Sequence, residues 1–405
     1  MNAATHAISI FVGIDVSKSK LDCAMLLNGK IKSKVVSNDR PGFALLNTWL
    51  QERSAVLDST HLCLEATGPY SEQAALALVD FGWKVSVVNP ARIKGFAQSE
   101  LARNKTDQAD AALLARFCAA MRPSVWTPPS PAYRQLRAMV ERLQALKDMH
   151  QQEVNRLEAH HASGETTVLP NVRSHIAWLD IQIAQLQRET NDHIDDHPEL
   201  KQDAKLIASI PGIGEATVAK VLAYAGDVRR FANAKALAAF IGICPRQRQS
   251  GSSVKGRTMI SRTGHAALRK ALYMPGLVAL RHNPILQAFG IRMKANGLAP
   301  KAVVGAAMRK LAHLIYGVVK SGKPFDANFA MNRVAIQDGI SYLSQISPAP
   351  ATLKKMSDNI APALTARVID YFLPGVSDAE PLYRLITTLL DAKPYPADEL
   401  AALYQ

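Results

Sequence analysis

The stretch ISIFVGIDVSKSKLDCAMLLNGKIKSKVV, residues 8–36, decides the fold of the first domain. It opens on the run ISIFVGIDV, and an apolar run of this length is typical of a buried strand. A second apolar run, KLDCAMLL, follows it, and Asn28-Gly29 is a dipeptide that favours a two-residue hairpin turn. We therefore expect three short strands, the last two joined by that turn. Asp15 stands out because it puts a charge inside the first strand.

Helices and strands alternate after this stretch. We expect a helix after Pro41, a strand at HLCLEATG (61–68), a helix over 71–81, a strand at KVSVVNP (84–90) and a helix at KTDQADAALLARFCAAM (105–121). This order predicts an α/β domain with a mixed sheet over residues 8–125. The proline-rich segment RPSVWTPPSPAY (122–133) marks its end.

The rest of the chain is expected to be mainly helical. Apolar residues recur in steps of four and three on both sides of SGETTVLP (163–170), and this spacing predicts a coiled-coil hairpin over 131–200. The spacing fits pairing within one chain and pairing between chains equally well. A basic helical domain is expected over 203–326. Residues 327–405 are expected to form an extension of short helices, and no role is assigned to it.

Composition is that of an ordinary folded protein. The 405 residues are 48% hydrophobic and 20% charged. No apolar run is expected to reach the length of a membrane span, so we expect a cytoplasmic protein without a membrane partner. The cysteines lie far apart, and this favours buried free thiols over a zinc site or a disulfide framework. They are Cys23, Cys63, Cys118 and Cys244.

Positive charge is concentrated in one part of the chain. The formal net charge is +14, and residues 228–325 contain eighteen Lys and Arg but no Asp or Glu. Because no acid in this segment can neutralise them, these cations favour an external polyanion, and a phosphate backbone is the natural one. A solvated basic face on an ordinary enzyme does not require so complete an absence of acids.

Four carboxylates are candidate metal ligands. Asp15 lies within a strand and Glu65 near the end of another, while Asp107 and Asp110 are three apart and so project from one face of a helix. Carboxylates brought together repel one another unless cations lie between them, and two Mg²⁺ ions are the usual solution in phosphodiester chemistry. The order strand Asp, strand Glu, helix DxxD is that of an RNase H-like nuclease core.

Each carboxylate also has a simpler interpretation. Asp107 is suited to interact with the dipole of its helix, and Asp15 can be a polar residue close to a turn. Asp22 and Asp39 are nearby acids that we leave outside the site, although Asp22 can point at the same face of the sheet. The four carboxylates together are a more specific signal of a nuclease core than any one of them alone.

Two segments of the basic domain are candidate phosphate contacts. IASIPGIGEATVAKVLA (207–223) is similar to a helix-hairpin-helix turn, in which Gly212 and Gly214 expose backbone N–H groups to a phosphate. A glycine-rich turn without a ligand fits equally well. The second segment, ICPRQRQSGSSVKGR (243–257), is expected to be a loop. The cations that we assign to nucleic acid here and in the following helix are Arg246, Arg248, Lys255, Arg257, Arg262, Arg269 and Lys270.

The serines of this second segment are candidate nucleophiles. A hydroxyl is a poor nucleophile unless a base or a metal ion activates it, and no acid lies nearby in the sequence. Activation therefore has to come from elsewhere, and the carboxylates of the first domain are the obvious source. From composition alone, a loop that only grips phosphate is the better interpretation.

Several motifs in order resemble a known family. They are GIDVSK with Asp15, LEATG with Glu65, NKTDQADA with Asp107 and Asp110, PGIG, and GICPRQRQSG…ISRTGH…LR. Together they are similar to the DEDD transposases of bacterial insertion sequences, whose relatives include a pilin-gene inverting recombinase. The resemblance covers residues 8–326 and implies a RuvC-like domain, a coiled coil and a C-terminal transposase domain with a serine.

The resemblance also implies the chemistry. Asp15, Glu65, Asp107 and Asp110 are expected to bind Mg²⁺, and Ser250 to attack DNA and form a covalent phosphoserine. Ser252 and Ser253 are close enough to leave that assignment open. The family works as dimers that join into a tetramer, with the carboxylates of one subunit serving the serine of another. Members of the family use a noncoding bridge RNA that pairs with target and donor DNA, so the resemblance implies that this protein reads backbone and shape.

Three hypotheses follow. The first is a serine-dependent DNA recombinase that acts with a metal ion. The second is a metal-dependent RuvC-like, structure-specific nuclease that uses water as the nucleophile. The third is a nucleic-acid-binding protein without catalysis. The third accounts for the basic segment but not for the carboxylates, and the second leaves the long basic domain and its Ser-Gly segment without a role.

Overall fold

The computed structural model describes residues 8–101, 106–250, 254–327, 334–335, 341–346, 364–371 and 383–387. For residues 247–258, and from residue 334 onward, only the backbone is described. The chain divides into two units, Met1–Pro128 and Pro129–Gln405.

The first unit contains a five-stranded mixed sheet. Its elements are β1 (Ile10–Val16), β2 (Lys20–Leu27), β3 (Lys30–Ser37), α1 (Arg40–Gln51), β4 (Thr60–Glu65), α2 (Pro69–Asp80), β5 (Lys84–Val88), α3 (Pro90–Ser99) and α4 (Asp107–Met121). The strand order is β3-β2-β1-β4-β5. β2 is antiparallel to β1 and β3, whereas β1, β4 and β5 run parallel. The predicted mixed sheet is confirmed and is consistent with a RuvC-like domain, although α3 was not predicted.

Local sequence explains this topology. Asn28 and Gly29 both have positive φ, 48° and 75°, and this is the conformation of the turn that joins twisted antiparallel strands. Helices cover both faces of the sheet, and β1 is therefore apolar except at Asp15. Ile10, Val12 and Ile14 pack with α1 and α2. Phe11 packs with α3 and α4, so alternation puts Asp15 on the α4 face as well.

Gly13 allows α4 to lie close to the centre of the sheet. A methyl group on Gly13 would overlap the backbone carbonyl oxygen of Ala111 and would lie 2.7 Å from Cβ of Leu114. Both neighbours belong to the helix that begins at Asp107, so this contact sets the depth at which α4 packs on β1. The glycine therefore helps to fix where the helix carries its two acids.

Gly13→Ala is expected to destabilise the protein by about 3 kcal/mol or more, because the overlap is with backbone that cannot turn aside. Thermal or urea denaturation measures the change. Gly95→Ala is the matched control, because Gly95 lies in α3 with open space around it and a helical alanine is favourable. Equal stability of the two variants would show that α4 does not pack as closely on β1 as described.

The second unit is mostly helical. Its helices are α5 (Pro131–Ser163), α6 (Leu169–Asp196), α7 (Pro198–Ala208), α8 (Glu215–Ala225), α9 (Ala234–Ile241), α10 (Ala266–Ala271), α11 (Tyr273–His282), α12 (Pro284–Ala295) and α13 (Pro300–Ser321). α5 and α6 pack against each other. Polar residues on the seam between them pair across it, with Lys147 Nζ 3.4 Å from Gln187 Oε1 and His150 Nε2 3.1 Å from Asp180 Oδ1. The two helices therefore pair within one chain.

Two secondary-structure predictions in this unit were wrong. The expected loop at 243–257 contains two paired strands, β6 (Pro245–Ser250) and β7 (Val254–Ile260). The expected helices of the C-terminal extension are instead strands in the described part, namely β8 (Val334–Ala335), β9 (Ser341–Ile346), β10 (Leu364–Tyr371) and β11 (Tyr383–Thr387). These strands form one antiparallel sheet in the order β11-β10-β9-β8. In each case short extended segments satisfy their backbone groups by pairing.

α13 corrects the expectation about membrane-length segments. It is long and apolar enough to cross a membrane by length and composition alone. More than half of its most apolar stretch is buried inside the unit, where Leu311, Ile315 and Val319 join the core. α13 therefore packs as a central core helix of the second unit.

All four thiols are free, as predicted. Cys23, Cys63 and Cys118 are buried in the first unit, and Cys244 is half-buried at the start of the β6–β7 hairpin. The expectation of buried thiols thus holds fully for three of the four.

Candidate active site

The parallel pairing of β1 and β4 brings two of the predicted carboxylates to one edge of the sheet. Ile14 is in register with Leu64, and Asp15 and Glu65 are the next residues along the two strands. Cys63 packs on the α4 side, so Glu65, two residues later, faces the same way as Asp15. Both side chains are half-buried.

The N-terminal turn of α4 supplies the other two carboxylates. Thr106 caps the helix by accepting a hydrogen bond from the Ala109 N–H at 3.2 Å. Asp107 and Asp110 lie in the first turn, where the positive end of the helix dipole favours negative charge. The dipole role considered for Asp107 and a place in the carboxylate cluster are thus compatible.

The four carboxylates are close enough to affect one another electrostatically. The pKa of Asp15 is raised to about 6, mainly by burial and then by the negative charges of Asp110 and Asp107, with smaller contributions from Asp22 and Glu65. Burial also raises the pKa of Glu65, with Asp110 as the second cause. Repulsion among neighbouring carboxylates makes each of them hold its proton to a higher pH, and a bound cation would relieve that repulsion.

Two residues that the sequence analysis did not assign complete the cluster. Asp22 lies directly opposite Asp15 in the β1–β2 register and is only 6% exposed. Lys20 Nζ lies 3.0 Å from Asp22 Oδ2 and 2.7 Å from Asp107 Oδ2. The hydrogen bond from Lys20 lowers the pKa of Asp107. The only signal for these residues was the alternation of β2, which puts Lys20 and Asp22 on one face.

Asp39, the other acid left outside the site, has a structural role. Its carboxylate caps α1 by accepting a hydrogen bond from the Gly42 N–H at 2.8 Å, and it accepts another from the Ser37 hydroxyl at 2.6 Å. Both bonds lower the pKa of Asp39. Its carboxylate is therefore engaged at the start of α1.

The cluster suits a hard divalent cation. Its donors are all carboxylate oxygens, the ligands that such ions prefer. The cluster contains five carboxylates but only one ammonium group, so its net charge is negative. Within the described ranges, no three His, Cys, Asp or Glu side chains already form a ligand set. Asp107 instead binds Lys20, so a metal ion held by this cluster would compete with the lysine for it.

The predicted nucleophile lies at the end of a strand. Ser250 is the last residue of β6, and its backbone pairs with Val254 of β7. Ser252 and Ser253 lie outside the described residues, as do the side chains of Ser250, Arg248, Lys255 and Arg257.

The base of the β6–β7 hairpin is well defined. The Ser261 N–H donates to the Cys244 carbonyl at 2.8 Å, and the His265 N–H donates to the Phe240 carbonyl at 2.7 Å. Gly264 lies so close to α9 that a Cβ there would be 2.6 Å from the Gly242 nitrogen. These contacts fix the two ends of the hairpin to the helical core.

The predicted nucleic-acid contacts differ in their surroundings. Arg246, Arg262 and Lys270 are exposed, and Arg262 has a left-handed backbone with φ of 56°. Arg269 is half-buried and donates to the Ile241 carbonyl at 3.1 Å, so it also holds α9 in place.

The two glycines of the PGIG turn have different environments. Gly212 has φ of 101°, and a Cβ there would lie 2.8 Å from Ala279 of α11. This close contact gives Gly212 a packing role, as in the alternative of a turn without a ligand. Gly214 is the N-cap of α8 and has open space around its Cα. Gly214 has no such packing contact.

Two protein-family models match this chain, and both describe transposases. A model described as the transposase IS116/IS110/IS902 family matches residues 204–290, and a DEDD transposase model of the IS110 type matches residues 12–161. The second match includes all the carboxylates described above and indicates dependence on a divalent metal ion.

Individual relatives extend the similarity over most of the chain. The pilin gene-inverting protein of Moraxella lacunata is 35% identical over 317 residues, which are 78% of this chain and 97% of that protein. The pilin gene-inverting protein of Moraxella bovis matches to the same extent. An uncharacterized 43.6 kDa protein of insertion element IS110 from Streptomyces coelicolor is 23% identical over 160 residues, 40% of this chain and 38% of its own.

Proposed function

The chain belongs to the IS110 family of transposases and is a DNA transposase or recombinase, and on that premise we propose that it cleaves and rejoins DNA through Ser250 with the aid of Mg²⁺. Asp15, Glu65, Asp107 and Asp110 would hold the metal. The observation that carries this proposal is the clustering of these carboxylates on the α4 face, where the pKa of Asp15 is raised to about 6 by burial and by its neighbours. Family membership favours catalysis over the hypothesis of a protein that only binds nucleic acid.

Bound Mg²⁺ would supply a Lewis acid for the phosphate and lower the pKa of a hydroxyl near it. The Ser250 oxygen forms a bond to phosphorus, and the bond from phosphorus to one deoxyribose oxygen breaks. The serine proton leaves, and the released DNA oxygen takes up a proton. The phosphoserine ester conserves the energy of the phosphodiester, so a second DNA hydroxyl can attack it, release the serine and rejoin the strands without another energy source.

The basic domain would hold the DNA. The segment 228–325, with eighteen cations and no acid, suits contacts to a phosphate backbone. Exposed Arg246, Arg262 and Lys270 are the described cations best placed for such contacts beside the hairpin. Arginine also stabilises charge that develops on a phosphate during cleavage.

Partners follow from the same proposal. Target and donor DNA are the substrates, and a noncoding bridge RNA encoded by the element would select both by base pairing. Homodimers would join into a homotetramer, in which the carboxylates of one subunit serve the serine of another. The relatives are bacterial proteins, so we place the reaction in the bacterial cytoplasm.

The test is to trap the covalent intermediate. Wild-type protein, Mg²⁺, the candidate RNA and end-labelled DNA are incubated and quenched in denaturant, and any protein–DNA adduct is digested and analysed by mass spectrometry. We expect a nucleotide attached to the side chain of Ser250. Cleaved DNA without an adduct would instead favour the metal-dependent nuclease that uses water. An adduct on the peptide at Ser252 or Ser253 would move the nucleophile to that residue.

A further inference from the structure

Lys20 is held at a defined place beside the carboxylates. It follows the tight turn between β1 and β2, where the Ser17 N–H donates to the Lys20 carbonyl at 3.0 Å and the Lys20 N–H donates to the Ser17 hydroxyl at 3.2 Å. These bonds fix its backbone at the edge of the cluster. Within the described residues, Lys20 is the one cation that forms an ion pair with any of the five carboxylates.

We propose that Lys20 is a positioning residue. Its ammonium group lies between Asp22 and Asp107 in place of a metal ion, and its contact with Asp107 breaks when a divalent metal ion binds. The inference rests on the proposed metal site. The proposal explains why Asp107, one of the predicted metal ligands, forms an ion pair with Lys20.

The surroundings of the two carboxylates indicate which contact is the exchangeable one. Asp22 is buried, and its side chain is only 9% exposed in the ion pair. The Asp107 side chain is 55% exposed, and it is at the first residue of α4. A metal ion that approaches from solvent therefore reaches Asp107 more easily than Asp22. Lys20 keeps Asp22 as its partner after Asp107 turns to the metal.

The alternative is an ordinary surface salt bridge with no relation to metal binding. Such a bridge contributes little to stability, because exposed charges are well solvated. The two interpretations differ in metal affinity. If the ammonium competes with the metal ion for Asp107, its removal favours metal binding. If the salt bridge is only structural, metal affinity does not depend on it.

The experiment is calorimetric titration of the full-length protein with Mg²⁺ and, in parallel, with Mn²⁺. For Lys20→Met we expect metal binding about three- to tenfold tighter than in the wild type, since one competing positive charge is lost. Lys20→Arg keeps the cation and is expected to bind metal like the wild type. Lys18→Met is the matched control, because Lys18 is an exposed lysine of the same turn with no ion pair among the described residues.

Unchanged or weaker metal binding by Lys20→Met would overturn the inference and leave the proposed metal site intact. Tighter binding by Lys18→Met to the same degree would also overturn it, since the effect would then be one of net charge. Absence of metal binding by the wild type itself would overturn the metal site and the inference with it. Thermal denaturation without metal checks that each variant is folded.

Discussion

Replacing Asp15 with asparagine is expected to reduce DNA cleavage by at least about a thousandfold, because under the proposed function it removes a metal-binding charge worth several kcal/mol to the transition state. Asparagine keeps the size and one oxygen of the side chain. Asp15 is also the most strongly affected carboxylate of the cluster, with its pKa raised to about 6 by burial and by Asp110 and Asp107. Cleavage of end-labelled DNA in single-turnover reactions measures the loss.

The same change is expected to have the opposite effect on the stability of the metal-free protein. The pKa of Asp15 in the folded protein, about 6, is above its ordinary value of 3.8. The folded state therefore binds this proton more tightly than the unfolded state does, and the protonated form stabilises the fold. The stability that this provides is complete below about pH 3.8 and is lost as the pH rises through 6. At pH 7.5 in EDTA, Asp15→Asn should therefore unfold at a higher temperature than the wild type.

A matched control separates charge at the site from charge in general. Asp39→Asn removes an acid of the same domain but leaves an oxygen to cap α1, so we expect near wild-type stability and cleavage. Added Mg²⁺ should raise the melting temperature of Asp39→Asn and of the wild type, but hardly that of Asp15→Asn. Wild-type cleavage by Asp15→Asn would show that this cluster is not the metal centre.

The sequence was sufficient to predict where the four carboxylates meet. Alternation along a strand and the spacing of three on a helix are local rules, and they put Asp15, Glu65 and the two α4 acids on facing elements. The contact between Lys20 and Asp107 cannot be predicted from such local rules. Lys20 meets Asp107 across 87 residues of chain, and a lysine next to a turn is otherwise expected to be solvated.

The β6–β7 hairpin and the C-terminal strands were missed for different reasons. In β6, PRQRQS alternates two kinds of polar residue, so it lacks the contrast between apolar and polar faces that identifies a strand. In the C-terminal extension, several prolines divide the chain into short segments, and such segments fit the strands of a meander as well as short helices. Segments such as LTARVIDY favour strands through their β-branched and aromatic residues.

Ser250→Ala is expected to abolish both the covalent adduct and strand exchange, because no other atom of the side chain can form the phosphate ester. DNA binding should be retained, since the hydroxyl carries no charge and the surrounding cations are unchanged. Ser252→Ala and Ser253→Ala are the matched controls and should still form the adduct. Loss of the adduct in one of these variants, with Ser250→Ala active, would place the nucleophile there.

Mixing the two inactive variants tests how subunits share the site. If the carboxylates of one subunit serve the serine of another, Asp15→Asn contributes an intact serine and Ser250→Ala an intact cluster. Random assembly of equal amounts then leaves roughly a quarter of the sites with both parts, so cleavage reappears in the mixture at about that fraction of the wild-type level. If each chain completes its own site, the mixture stays inactive, because every site lacks either the serine or a carboxylate.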